Sequence, residues 1–323
     1  MATNNRAAHI TESLLVCTAC GTQFPTADRT ALKTCFICDD PRQYVPRSGQ
    51  SFTTLAALQT SHKNEFHTYR SSPDTDGKED PNPRPLISIT TTPKFAIGQR
   101  AILVPTPAGN VLWDCLTLLD DETIAQITEL GGLQGIVISH PHYYSTHVAW
   151  AAAFSCPVYL AAQDKAWLAQ SSDRQVFLDA VETSIPGLGG ADTGVKAIRL
   201  GGHFPGSLVL LAGTGLLIAD TLMTTPSGVA NWETNALNEP RSRPPAANSF
   251  SFMWSIPNMI PLNPDEIVRM WDVLKHYDFT STHGAFVGQD IEHQDVKARV
   301  LQSMQIQIRS MGHDVHPFLH TLW

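Results

Sequence analysis

Four cysteines carry the first chemical signal in this chain. Cys17-x2-Cys20 and Cys35-x2-Cys38 are two C-x2-C pairs separated by fourteen residues. Two thiolates from each pair can close around one tetrahedral ion, and Gly21, directly after the first pair, suits the tight turn such a site needs. Four thiolates leave no open position for a substrate, so a structural zinc is the expected occupant. A redox C-x-x-C would lie near a βαβ pattern, and none is visible around these residues. Cys115 and Cys156 sit in apolar contexts and read as ordinary buried thiols.

The histidines give the second signal. An apolar run, Ile136-Val137-Ile138, leads into Ser139-His140-Pro141-His142-Tyr143-Tyr144-Ser145-Thr146-His147. Residues two apart on an extended chain point the same way, so His140 and His142 can both reach one metal. His147 lies where the next helix is expected to start. His203, Asp220 and His283 each fall at or near the end of a strand-like run. Imidazoles and a carboxylate gathered at strand ends suit a zinc or iron site with an open position. His9, His62, His67, His276, His293, His313, His316 and His320 read as core or surface residues.

These groups need a scaffold, and from about Lys94 onward the texture of the chain supplies one. QRAILVP, NVLWDCL, QGIVISH, PVYLAA, VKAIRL, SLVLLA, GLLIAD and DFTSTH are short runs rich in Val, Ile and Leu, most bounded by turn residues, and they read as strands. Ala108-Gly109-Asn110 suggests a hairpin between the first two. DDETIAQITELGG, STHVAWAAAF, PDEIVRMWDVLKHY and DIEHQDVKARVLQSMQIQIRSMG read as helices. The alternation predicts a layered α/β body. Residues 1–50 are expected to form a small zinc module that depends on its metal for folding, 51–93 a linker or extended segment with a Pro/Asp/Ser-rich loop at 71–85, and 94–323 the main domain. Residues 223–263, with six prolines and several large apolar side chains, read either as a lid or pocket wall or as a strand-and-turn segment packed on the core.

The chain has 323 residues, 42% of them hydrophobic and 16% charged, which excludes overall disorder. A net charge of −8 argues against nucleic acid or an anionic membrane as the main partner. The longest apolar stretch, 148–162, is too short for a spanning helix, and the first residues lack a secretory pattern. A cytoplasmic protein acting on a small molecule is expected, with the oligomeric state left open.

On these residues the chain resembles the metallo-β-lactamase-fold superfamily over about residues 95–312, closest to fungal-type members with an N-terminal zinc-ribbon-like module. The superfamily pattern H-x-H-x-D-H aligns with His140, His142, Tyr144 and Ser145; His203, Asp220 and His283 fall where the third histidine, the bridging aspartate and the last histidine stand. Asp114 matches a supporting aspartate after an early strand. The resemblance implies a four-layer αββα sandwich and a metallo-hydrolase that opens a lactam, lactone, ester or thioester of a small hydrophobic substrate by attack of metal-bound hydroxide. Tyr144 and Ser145 stand in place of an aspartate and a histidine that build a second metal position. That leaves a single metal on His140, His142 and His203, with Asp220 as a further ligand or a water-orienting group and His147 as a replacement ligand if its loop folds back. Tyr144 is a candidate hydrogen-bond donor to the oxyanion or leaving group, against a packed loop aromatic. Two other readings remain, a non-catalytic scaffold with an altered site and a mono-iron oxygenase.

Overall fold

The computed structural model describes residues 11–69 and 85–322; His9 and residues 71–84 of the Pro/Asp/Ser-rich stretch lie outside them. The N-terminal part holds the short antiparallel pair β1 (Leu15–Cys17) and β2 (Phe52–Thr54), with one helical turn, α1 (Phe36–Asp39), between them. Helix α2 (Leu55–Gln59) follows.

Two sheets form the body. The first has seven strands in chain order: β3 (Lys63–Tyr69), β4 (Leu86–Thr92), β5 (Ala101–Val104), β6 (Val111–Trp113), β7 (Gly135–Val137), β8 (Val158–Ala161) and β9 (Gln175–Leu178). Strands β3 to β6 pair antiparallel, and β6 to β9 parallel. Parallel neighbours need crossovers, and α3 (Asp121–Glu129) and α4 (His147–Phe154) provide two of them. The Asp120 side chain accepts from the Thr123 N–H and so caps α3, where sequence acidity predicts a helix start. The second sheet runs β10 (Glu182–Pro186), β11 (Asp192–Arg199), β12 (Leu208–Ala212) and β13 (Gly215–Leu217). The chain then leaves through short pairs, β14 (Met223–Thr224) with β15 (Phe250–Ser251) and β16 (Met253–Ser255) with β17 (Ile260–Pro261), and through α5 (Pro264–Leu274). It returns as β18 (Ser281–His283), parallel to β13, then β19 (Asp290–Glu292) and α6 (Val296–Ser310).

The layering follows from the two-residue period of β12. Leu208 and Leu210 join a core shared with Ile102, Leu112 and Val137 of the first sheet. Val209, pointing the other way, joins Ile267 and Met270 of α5 and Val300 and Met304 of α6. Each such fully buried Leu or Val contributes about 1.5–3 kcal/mol. Ile127 of α3 and Trp150 of α4 belong to the first sheet's core. The order is therefore helices, sheet, sheet, helices.

Three expectations change. Residues 51–93 are more than a linker or extended segment, since they supply β2, helix α2, the edge strand β3 and its neighbour β4. The last helical segment begins as a strand: Asp290–Glu292 pairs with Ser281–His283, and α6 starts only at Val296. The 223–263 stretch divides, with Phe250 and Phe252 fully buried against α6 and most of 229–247 solvent-facing. Among the described residues, no helix is long and apolar enough to cross a membrane.

Candidate functional site

Two groups of ligand-type side chains come together. In the first, Cys17, Cys20, Cys35 and Cys38 are all buried free thiols, with Sγ–Sγ distances of 3.6 Å for Cys17–Cys38 and for Cys20–Cys35. An ion bound tetrahedrally at about 2.3 Å from each sulfur sets neighbouring sulfurs about 3.8 Å apart, so the cluster has the size of a metal cage. Hydrogen bonds from Cys20, Cys35 and Cys38 hold the Cys17 thiol far below the ordinary thiol range.

In the second group, one ligand atom from each of His140, His142, His203 and Asp220 lies within 4.8 Å of the others. Strand β7 brings in the first pair. Its parallel neighbour β6 runs into Asp114, which has φ 61° and accepts the Ser139 N–H at 2.8 Å, fixing the chain just before His140. Burial pushes the Asp114 carboxyl up to about 7. A single 3-10 turn, Pro141–Tyr143, then carries His142 round to the same point. His203 sits in the tight turn after β11, where Gly201 and Gly202 have φ of 73° and 83°. A Cβ at Gly202 would press on the ends of the Met270 and Leu262 side chains, which can give way, so the positive φ is what calls for glycine there. Asp220 lies three residues past the end of β13.

The spacing suits one ion. His203 Nε2 lies 3.3 Å from His142 Nδ1, and His140 Nε2 lies 3.5 Å from Asp220 Oδ2. Two nitrogens each about 2.0–2.1 Å from a tetrahedral ion stand about 3.3–3.4 Å apart. The Nε2 atom of His140 is buried with no hydrogen-bond partner in the protein, the condition expected of an atom reserved for another ligand, while His142 faces the group through Nδ1. His203 donates its Nδ1–H to the Met253 carbonyl at 3.2 Å, leaving Nε2 as the lone-pair nitrogen. Burial, reinforced by His140, pushes His203 down to about 4 and keeps His142 well below the ordinary histidine range. Both are neutral at pH 7, as ligation requires. Burial works against the Asp220 charge, yet His140, His203 and the Tyr143 hydroxyl hold that carboxyl below the usual range.

Three candidate residues stand apart from this group. His283 is fully buried, donating Nδ1–H to Asp290 Oδ1 at 2.9 Å and facing Ser281 Oγ at 3.0 Å through Nε2; Arg100 completes that cluster on Asp290 at 2.6 Å. His147 donates to the Tyr144 carbonyl at 2.8 Å and receives the Gln175 amide at 2.7 Å, so both its nitrogens are engaged by protein. Tyr144 turns its hydroxyl to the Asp164 carbonyl, 3.5 Å away, and not into the histidine group. Its neighbour Tyr143 takes that place. The Tyr143 hydroxyl donates to Asp220 Oδ1 at 2.7 Å, and its ring centre lies 4.5 Å from that of His140.

No family model matches the chain. YmaE, an uncharacterized protein of Bacillus subtilis (strain 168), is 36% identical over 284 residues, which cover 84% of this chain and 88% of YmaE. The chain belongs to the YmaE family. In this YmaE relative, the layered sheets and the histidine cluster near the strand ends match the arrangement that the resemblance to the metallo-β-lactamase-fold superfamily implies. Among solved structures, the DIM-1 metallo-β-lactamase is 11% identical, with a TM-score of 0.49 and coverage of 76% of this chain and 98% of that one. A flavo di-iron protein from Thermotoga maritima is 12% identical, with a TM-score of 0.46 and coverage of 75% and 62%.

Proposed function

We propose that this YmaE-family chain is a metal-dependent hydrolase whose single catalytic ion is held by His140, His142 and His203 beside Asp220. The observation that carries the reading is the buried four-donor group with its 3.3 Å and 3.5 Å spacings and the unpartnered Nε2 of His140. A zinc ion held there acidifies water toward neutral pH and polarises a carbonyl. The protein's own groups do the rest. Tyr143 anchors Oδ1 of Asp220, so Oδ2 is held toward His140 Nε2, where it would ligate the ion or orient the attacking water. Met253 and Ser139 fix the outer nitrogens of His203 and His140. Phe204 lies 4.9–5.7 Å, centre to centre, from all three imidazoles and keeps bulk water off them. Of the four groups, Asp220 is the most exposed, at 8% against 3% or less, so substrate reaches the site from its side. The aromatic surroundings favour a small hydrophobic lactam, lactone, ester or thioester.

Metal analysis followed by a panel of these carbonyl compounds is the test. Two metals per chain and hydrolysis that disappears in His140→Ala or in stripped protein are expected; full turnover in either preparation refutes the reading. Three imidazoles and a carboxylate also suit iron, so iron in place of zinc, with oxygen consumption, would replace hydrolysis by oxygenase chemistry.

A further inference from the structure

Nothing in the sequence ties the cysteine module to the histidine group, yet the structure joins them through three residues. Just past Cys38, the Asp40 carboxylate takes the Arg42 guanidinium on two prongs, Nε–Oδ1 at 2.7 Å and Nη2–Oδ2 at 3.0 Å. The guanidinium carbon lies 3.8 Å from the Phe204 ring centre and 5.1 Å from that of Trp167. Arg42 Nη1 donates to the His203 carbonyl at 3.4 Å, and the side chain is only 11% exposed. Between them, the Pro41 carbonyl accepts from Ser255 Oγ and Asn258 Nδ2, both at 2.6 Å. That second contact holds the same loop whose Met253 carbonyl receives the His203 imidazole N–H.

We propose that Asp40–Arg42 is a positioning strap for the histidine site, with Arg42 as the positioning residue. The inference rests on the reading that His140, His142 and His203 hold a metal. His203 is held from both ends: its backbone and the adjoining Phe204 by Arg42, its ring by the loop that Pro41 secures. The planar fork of arginine is what allows pairing with Asp40 and stacking on Phe204 at once. Helix α1, which sets the start of the strap, is four residues long and lacks a side-chain N-cap. A helix that short does not persist alone, so its geometry depends on the cysteines that flank and enter it. The occupant of the four-cysteine site thereby governs how well the histidine site binds.

The test uses the full chain loaded with zinc, a competing chelator to titrate the histidine-site metal, and the cobalt spectrum of that site as a coordination readout. Arg42→Met is expected to weaken the histidine-site metal about 10–100-fold, the usual effect of losing an outer contact to a ligand. The four-cysteine metal and the far-ultraviolet spectrum stay unchanged. Wild-type affinity and cobalt spectrum in that variant overturn the proposal. If Arg42→Met also loses the four-cysteine metal, the double variant Ser255→Ala/Asn258→Ala decides, since it frees Pro41 from the other side: weaker histidine-site binding supports the strap, and unchanged binding overturns it. A wild-type chain that takes up only the four-cysteine metal overturns the underlying metal reading; two metals in wild type with unaltered variants overturn the strap alone.

Discussion

Replacing Tyr143 by Phe removes one oxygen and leaves the ring against His140. The lost hydroxyl is a buried donor at 2.7 Å to Asp220 Oδ1, an acceptor held in its ionised form. A hydrogen bond to a charged group contributes about 1.5–3 kcal/mol. At 1.4 kcal/mol per tenfold, that is a loss of roughly 10–150-fold in whatever depends on Asp220 being held in place. If the carboxylate serves the metal, chelator competition sees the loss as affinity; if it takes the proton from water, turnover falls at full metal occupancy. Tyr144→Phe is the matched control. Its hydroxyl has only a 3.5 Å contact to the Asp164 carbonyl, at the limit of a hydrogen bond, so less than about a threefold change is expected. The reasoning fails if Tyr143→Phe keeps both affinity and turnover within twofold of wild type, or if Tyr144→Phe is the more damaging of the two.

Two further substitutions address residues outside the four-donor group. Burial pushes His147 down to about 4 from an unfolded value of about 6.5. Its folded-state pKa is depressed, so its contribution is fully present above pH 6.5 and is lost as pH falls from there toward 4, about 3 kcal/mol in all. Urea unfolding at pH 7.5 and 4.5 should show that His147→Gln flattens this dependence relative to wild type; identical slopes would count against it. His283→Ala removes one donor from Asp290, which keeps Arg100, and leaves a cavity at a fully buried position; it is expected to cost about 2–4 kcal/mol of stability while the histidine-site metal stays bound. Loss of that metal from a folded His283→Ala chain would make His283 a ligand after all.

Spacing makes the cysteine group and the first two histidines legible, while His203 and Asp220 are read from their places at strand-like ends and from the family resemblance. C-x2-C pairs and an H-x-H at a strand end are local patterns, and β7 and β11 to β13 place their ends as the apolar runs suggest. Tyr144 enters as a candidate donor through its place in the family pattern, whereas the structure sets Tyr143 against Asp220. Period two puts 140, 142 and 144 on one side. The strand stops at Val137, however, and Pro141–Tyr143 is a 3-10 turn, in which positions i and i+3 eclipse. That brings Tyr143, not Tyr144, over His140. For His283, nothing in the local pattern reveals that β19 pairs back on β18 and sets Asp290 opposite it. The role of Arg42 is least legible of all, because its partners Phe204 and His203 lie some 160 residues away in sequence.

The contact between Pro41 and Ser255 spans 214 residues of chain. During synthesis, which proceeds from the N-terminus, the four cysteines leave the ribosome and can take up their ion long before the loop that Pro41 receives has been made. Closing so long a loop adds only a slowly growing entropic cost. A preassembled module presents Pro41 and Arg42 as a ready template when residues 203 and 253–258 arrive. Metal starvation during translation would then act early, and the defect it left would be seen at a site that the ribosome had not yet begun to build.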